Sequence, residues 1–146
     1  MDHKLSQVND YLVTVFNDIL TIEETELQKG EFDDLSVKEM HTIDAIGLHG
    51  EKTSSEVAKE LSVTVGTLTV AINNLEKKGY VERLRNDKDR RVVRLKLTNR
   101  GRLFYRSHQH FHKKMVESAL ADMEESEQAA LVKGLKNLHL FLEQYY

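Results

Sequence analysis

The chain has no cysteine, so disulfides, thiolate metal sites and thiol redox sensing are all excluded. It has no proline either, which suits long helices joined by few rigid turns. No apolar run approaches the roughly 18 residues of a membrane span. Met1-Asp2-His3-Lys4 opens without the apolar stretch of a signal peptide, so a soluble, cytoplasmic protein is expected. Catalysis lacks its usual marks. There is no Gly-rich phosphate loop and no nucleophile–His–carboxylate arrangement, so no catalytic residue is assigned and no enzyme is expected. A hydrophobic content of 40% over 146 residues is enough for one cored domain, or one domain with an extension.

What the chain does have is segregated charge. Residues 77–102 carry eleven Lys or Arg against three Asp or Glu, a balance of +8 in a chain whose total is −3, which leaves −11 on the other 120 residues. A basic stretch inside an acidic chain points to a polyanion partner, and nucleic acid is the usual one. Two β-type runs, Tyr80 to Arg85 and Val92 to Thr98, flank a charged turn at Asn86 to Arg91. A hairpin with a basic tip, directly after a helix, has the form of a DNA-binding wing.

The rest reads as helices. Val8, Tyr11, Leu12, Val15, Phe16, Ile19 and Leu20 recur at helical spacing in a first helix expected from Ser6 to Gln28. Ser36-Val37-Lys38-Glu39 is a capping box; the helix it opens carries Val37, Met40, Ile43 and Ile46 and ends near Gly47 or Gly50. Thr53-Ser54-Ser55-Glu56 is a second capping box, for a short helix with Val57, Ala58 and Leu61 inward. Thr64 caps a helix over Val65 to Lys78 with Val65, Leu68, Ile72 and Leu75 on one face, ended by Gly79. These two short helices form a helix-turn-helix. Thr98-Asn99 caps a fifth helix to about Ala121, and a sixth begins near Glu124 with an acidic first turn that suits the helix dipole. Its Leu131, Leu135, Leu138, Leu142 and Tyr145 alternate by four and three, a coiled-coil-like seam that implies a homodimer. The expected fold is mainly α with a small β-hairpin wing. Residues 1–35 form a dimerisation helix and linker, 36–98 a winged helix-turn-helix, and 99–146 the remaining dimerisation helices. A helical interaction module would account for the seam but not for the wing.

Residues 89–101, DRRVVRLKLTNRG, combine Asp-x-Arg, an apolar alternation and Leu-Thr-x-x-Gly. With Leu75-Glu76-Lys77-Lys78-Gly79-Tyr80-Val81 and the order of helices and wing, they resemble the MarR-type transcriptional regulators over essentially the whole chain. The resemblance implies a homodimer with a winged helix-turn-helix on each subunit, bound to pseudo-palindromic double-stranded DNA. It also implies that Asp89 holds Arg91 and that Arg91 enters the minor groove. Ser36 to Asp44, Ala71 to Glu76 and Asp89 to Val93 further resemble a subgroup that represses fatty-acid synthesis genes with long-chain acyl-acyl carrier protein as corepressor.

At 100° per residue the exposed face of the recognition helix presents Gly66, Thr67, Val70, Asn73 and Asn74. Gly66 lets the backbone approach DNA, Thr67 and Val70 suit thymine methyls, and Asn73 or Asn74 suits adenine edges. That face has no Arg or Lys before Lys77, so an A·T-rich operator is expected. The narrow minor groove of such DNA attracts an inserted guanidinium, with Lys88, Arg90 and Arg91 all at the wing tip. Thr53, Ser54, Ser55 and Thr64 either cap helices only or also donate to phosphates. Arg83, Arg85, Arg94 and Lys96 supply long-range attraction.

For an effector, Phe16, Ile19, Leu20, Met40, Ile43, Phe104 and Phe111 either fill the core, their commonest role, or line a pocket for an acyl chain. Basic Arg102, Arg106, Lys113 and Lys114 suit an acidic carrier protein. The metal alternative is zinc. His108 and His112, four apart, share a helix face, and Glu24 and His41 are the further candidate ligands, although such histidine pairs also arise by chance.

Overall fold

The computed structural model describes residues 1–50 and 52–146. They form α1 (His3–Lys29), α2 (Val37–Ile46), α3 (Ser54–Glu60), α4 (Val65–Lys78), β1 (Val81–Arg85), β2 (Val93–Leu97), α5 (Asn99–Leu120), α6 (Glu125–Leu142) and a closing 3-10 turn (Glu143–Tyr145). Two compact units result, Met1–Arg102 and Leu103–Tyr146. α1 therefore groups with the helix-turn-helix and wing, where the sequence pattern alone suggests a boundary near residue 35.

The helix starts follow the capping chemistry. The Asp2 carboxylate accepts from the Leu5 N–H at 2.8 Å, which starts α1 three residues before Ser6. Ser36 and Glu39 close a reciprocal box on α2, and Thr53 and Glu56 close another on α3. Glu124 and Glu127 do the same for α6. Ser62, at φ 56°, makes the tight turn between α3 and α4.

The core of the first unit gathers Leu35, Met40, Ile43 and Ile46 with Val57, Ala58, Leu68, Ile72 and Leu75, then Tyr80, Val81, Leu95 and Leu97 of the hairpin. Val65, expected on this face, is 48% exposed, because the first turn of α4 lies outside the core. β1 pairs antiparallel with β2, Val81 opposite Leu97 and Arg85 opposite Val93. A short bridge between Thr53 and Arg94, with the Leu95 N–H donating to the Lys52 carbonyl at 3.0 Å, ties the wing to the start of α3.

Two polar clusters anchor this unit. Glu39 accepts from Lys78 at 2.8 Å. Burial alone would raise the Glu39 carboxyl, but hydrogen bonds from Lys78 and Ser36 outweigh it and hold its pKa below the ordinary value. Tyr80 donates to Asp34 at 2.6 Å beneath the Arg100 guanidinium, and burial together with Asp34 pushes its phenol up to about 12. Gly101 explains the glycine of the Leu-Thr-x-x-Gly motif. A Cβ there would lie 2.1 Å from the Tyr80 carbonyl oxygen. Thr98 caps α5, accepting from the Gly101 N–H at 3.1 Å.

In the second unit, α6 has no buried residue in the single chain, and Leu131, Leu135 and Leu142 are exposed. Tyr145 falls in the 3-10 turn, so the α-helical seam ends at Leu142.

Candidate nucleic-acid interface

α4 and the hairpin enclose a groove of about 560 Å³ in the first unit. Thr53, Ser54 and Ser55 at the start of α3 form one wall, and Val65, Leu68, Thr69, Ile72 and Asn73 of α4 another. Arg83, Arg85, Arg91, Val92 and Val93 close it from the wing. Hydroxyls, an amide and three guanidinium groups thus line one channel; Arg83 is held there by Glu76 and Asn73, which leaves Arg85, Arg91 and the hydroxyls as the surface suited to phosphates.

On α4, Thr64 accepts from the Thr67 N–H at 3.1 Å and donates its hydroxyl to Thr67 Oγ1 at 2.9 Å. Thr64 is therefore occupied as a cap, while Thr67 keeps its own O–H and its methyl for an outside partner. Val70 is 62% exposed, an apolar side chain open to an outside partner. Gly66, Asn73 and Asn74 are exposed on the same helix. A Cβ at Gly66 would meet only Thr64 Oγ1, at 3.9 Å, so the space beside it is open. Thr53 is committed within its capping box, accepting from the Glu56 N–H at 3.2 Å and donating to Glu56 Oε1 at 3.0 Å.

At the wing tip the Lys88 N–H donates to Asn86 Oδ1 at 2.8 Å, which sets the turn. Asp89 grips Arg91 through its backbone N–H at 3.0 Å, its Nε at 3.1 Å and its Nη2 at 3.2 Å. These hydrogen bonds, the side-chain ones foremost, hold the Asp89 carboxyl below its ordinary pKa. The Arg91 side chain is nonetheless 91% exposed, so the guanidinium is aimed without being buried. Arg90 is exposed beside it, and its carbonyl accepts from Arg85 Nη1 at 3.2 Å.

The four basic residues of the hairpin do not act as one group. Residues directly opposite in an antiparallel pair share a face. Arg83 stands opposite Leu95 and Arg85 opposite Val93, and both arginines line the groove. Arg94 stands opposite Leu84 and Lys96 opposite Glu82, on the other face. Arg83 is also paired, with Glu76 and with Asn73, so it is not a freely steering charge. Arg83, Arg85 and Thr69 are the polar groove residues that sequence reasoning left outside the site, along with the apolar Val65, Leu68, Ile72, Val92 and Val93. Alternation along β1 is the signal that could have found the two arginines.

The MarR family model matches residues 35–93. Over 97% of this chain and 99% of the other, the structure is similar to Streptococcus pneumoniae FabT in complex with DNA, with 52% identity and a TM-score of 0.88. The chain belongs to the MarR family. Among curated relatives, the multiple antibiotic resistance protein MarR of Salmonella typhimurium is 33% identical over 94 residues, 61% of this chain and 65% of that protein. The HTH-type transcriptional regulator YwhA of Bacillus subtilis is 41% identical over 54 residues, so this chain spans only 39% of its length.

The effector candidates fall into distinct settings. Met40 and Ile43 are fully buried in the core of the first unit, the role such side chains usually have. Phe16 is 63% exposed on α1, Leu20 is also exposed, and Ile19 is half-buried. In the second unit Phe104 is buried and stacks on His108 with ring centroids 5.7 Å apart, while Phe111 meets His112 edge-on. The Nε2 atoms of His108 and His112 lie 3.1 Å apart. Glu24 is exposed, and its neighbour Glu23 is the buried carboxylate, 3.8 Å from His41. Glu23 lies four residues beyond Ile19 and four before the buried Leu27, so it continues the inward stripe of α1, and Glu24 falls off it.

Proposed function

We propose that this chain represses genes of fatty-acid synthesis, as a homodimer on A·T-rich pseudo-palindromic DNA, with long-chain acyl-acyl carrier protein as corepressor. Family membership carries the broader statement: the chain is a DNA-binding transcriptional regulator and not an enzyme. The observation that supports the DNA reading best is the groove between α4 and the wing, where α3 hydroxyls and three arginines face one channel. In this reading α4 lies in the major groove and Arg91, mounted on Asp89, enters the adjoining minor groove. No helix among the described residues is long and apolar enough to cross a membrane.

The fatty-acid reading is supported by the 52% identity to FabT and by apolar side chains left exposed on α1. An acyl chain would take up such surface, each buried CH₂ contributing about 0.8 kcal/mol. Arg106, Lys113 and Lys114 of α5 suit an acidic carrier. Arg102 suits it less, because its guanidinium donates to the Leu97 carbonyl at 2.7 Å and to Asn99. A ligand that favours the DNA-competent conformation raises operator affinity by its differential affinity for that state.

A second reading, zinc as effector, is favoured by one distance. Two imidazole nitrogens at about 2.05 Å from a tetrahedral ion stand about 3.3 Å apart. The His108 and His112 Nε2 atoms, at 3.1 Å, are close to that spacing before any ion arrives. One comparison separates the readings: affinity for DNA upstream of the chain's own gene, measured with free carrier protein, acyl-acyl carrier protein, zinc and a chelator. Tighter binding with the acyl form alone supports the lipid reading. Binding that follows zinc and ignores the acyl form overturns it.

A further inference from the structure

Asn73 sits on the exposed face of α4, where a free asparagine would read adenine by a paired contact. Such a contact needs its oxygen to accept from adenine N6 while its nitrogen donates to N7. In this chain the amide is already held. Asn73 Oδ1 lies 2.8 Å from Arg83 Nη2, and the other terminal nitrogen of Arg83 pairs with Glu76. A guanidinium can only donate, so the amide atom facing it is the oxygen and the NH₂ group points away. Accepting from a cation draws electron density from the amide oxygen, which makes it a poorer second acceptor and makes the N–H groups better donors. Glu76 in turn keeps Arg83 on the protein. The Arg83 side chain is only 21% exposed, against 91% for the mounted but protruding Arg91.

We infer that Asn73 reads DNA as a donor only, with Arg83 and Glu76 as its positioning residues. It selects a base edge that offers an acceptor in the major groove, such as N7 of a purine, O6 of guanine or O4 of thymine, and is indifferent to the amino group of adenine. The inference rests on α4 entering the major groove. Its partners lie on one helix face and one strand of a single compact unit, so it depends on no effector and no second subunit.

The experiment begins with duplexes selected from a random pool by the full-length protein. The position at which Asn73→Ala loses preference is located, and adenine, unsubstituted purine and 7-deazaadenine are placed there. Purine keeps N7 and lacks the amino group; 7-deazaadenine keeps the amino group and lacks N7. The expected result is equal binding of adenine and purine, with a loss of about tenfold for 7-deazaadenine. Arg83→Met frees the amide, so this variant should begin to prefer adenine over purine. Its salt dependence should stay unchanged, whereas loss of a phosphate contact from each subunit would lower the slope by about 1.8. Arg83→Lys, which keeps a donor for Oδ1, should retain the parent pattern. The inference is overturned if the parent already rejects purine, if Asn73→Ala loses preference at no position, or if Arg83→Met alters only the salt slope. Recovery of no preferred sequence at all would overturn the DNA-reading function itself, a different failure.

Discussion

Arg91→Ala isolates the contribution of the wing. The side chain is 91% exposed and, among the described residues, hydrogen-bonds within its own turn to Asp89, so its removal should change folding stability by less than about 0.5 kcal/mol. Its effect on DNA should be large and salt-dependent. Each phosphate neutralised contributes about 0.9 to the slope of log affinity against log salt, so a dimer losing one contact per wing becomes shallower by about 1.8. Between about 50 and 200 mM salt, which spans about 0.6 log units, the parent should lose roughly twelvefold more affinity than the variant. Anisotropy titrations of one operator duplex across that range measure this directly. Asp89→Ala sharpens the test because its two effects oppose each other. It removes a negative charge that phosphates would repel, and it releases the Arg91 guanidinium from its mount. If mounting dominates, Asp89→Ala weakens binding although the tip becomes more positive, and the double variant is no worse than Arg91→Ala alone. An unchanged affinity and slope for Arg91→Ala would refute wing insertion. Tighter binding by Asp89→Ala would refute the mounting role.

Four further outcomes are expected. The Tyr80 phenol, raised to about 12, supports the fold fully below the ordinary value of 10.0, and that support is lost as pH climbs through about 12; an ultraviolet phenolate titration should show one late tyrosine that disappears in Tyr80→Phe. The Glu39 carboxyl is depressed, so its contribution is present above the ordinary value of 4.5 and lost as pH falls through its lower folded value; Glu39→Gln should lower the urea midpoint near neutrality, with the gap to the parent closing in acid. Gly101→Ala forces α5 away from the Tyr80 carbonyl and should destabilise the protein by about 3 kcal/mol in denaturant titrations. Deleting the chain from Glu124 onward removes the exposed leucine face of α6 and should abolish both dimerisation in sedimentation and tight operator binding.

The parts of this molecule legible in its sequence are those whose partners lie within a few residues. Ser36, Thr53 and Thr64 each accept from an N–H three positions on, so the starts of α2, α3 and α4 were readable from local chemistry. Gly79, at φ 86°, ends α4 for an equally local reason. The wing was readable because charge, alternation and turn residues coincide within one short segment. Reading stopped wherever a helix phase or a strand register had to be known. Glu23 and Glu24 are chemically identical, and choosing between them needs the apolar stripe of α1 carried one turn past Leu20, where Glu23 falls on it and Glu24 does not. Arg83 and Arg94 look alike on paper; alternation sets Arg83 and Arg85 on one face of β1, and the pairing of β1 with β2 makes that the groove face and puts Arg94 on the other. Asn73 makes the same point for chemistry. Its residue type permits both a donor and an acceptor toward a base, and a partner ten positions further along, across a turn and on a strand, takes up the acceptor. What a side chain can offer DNA is thus decided by the protein atoms it already satisfies, and those are set by tertiary register.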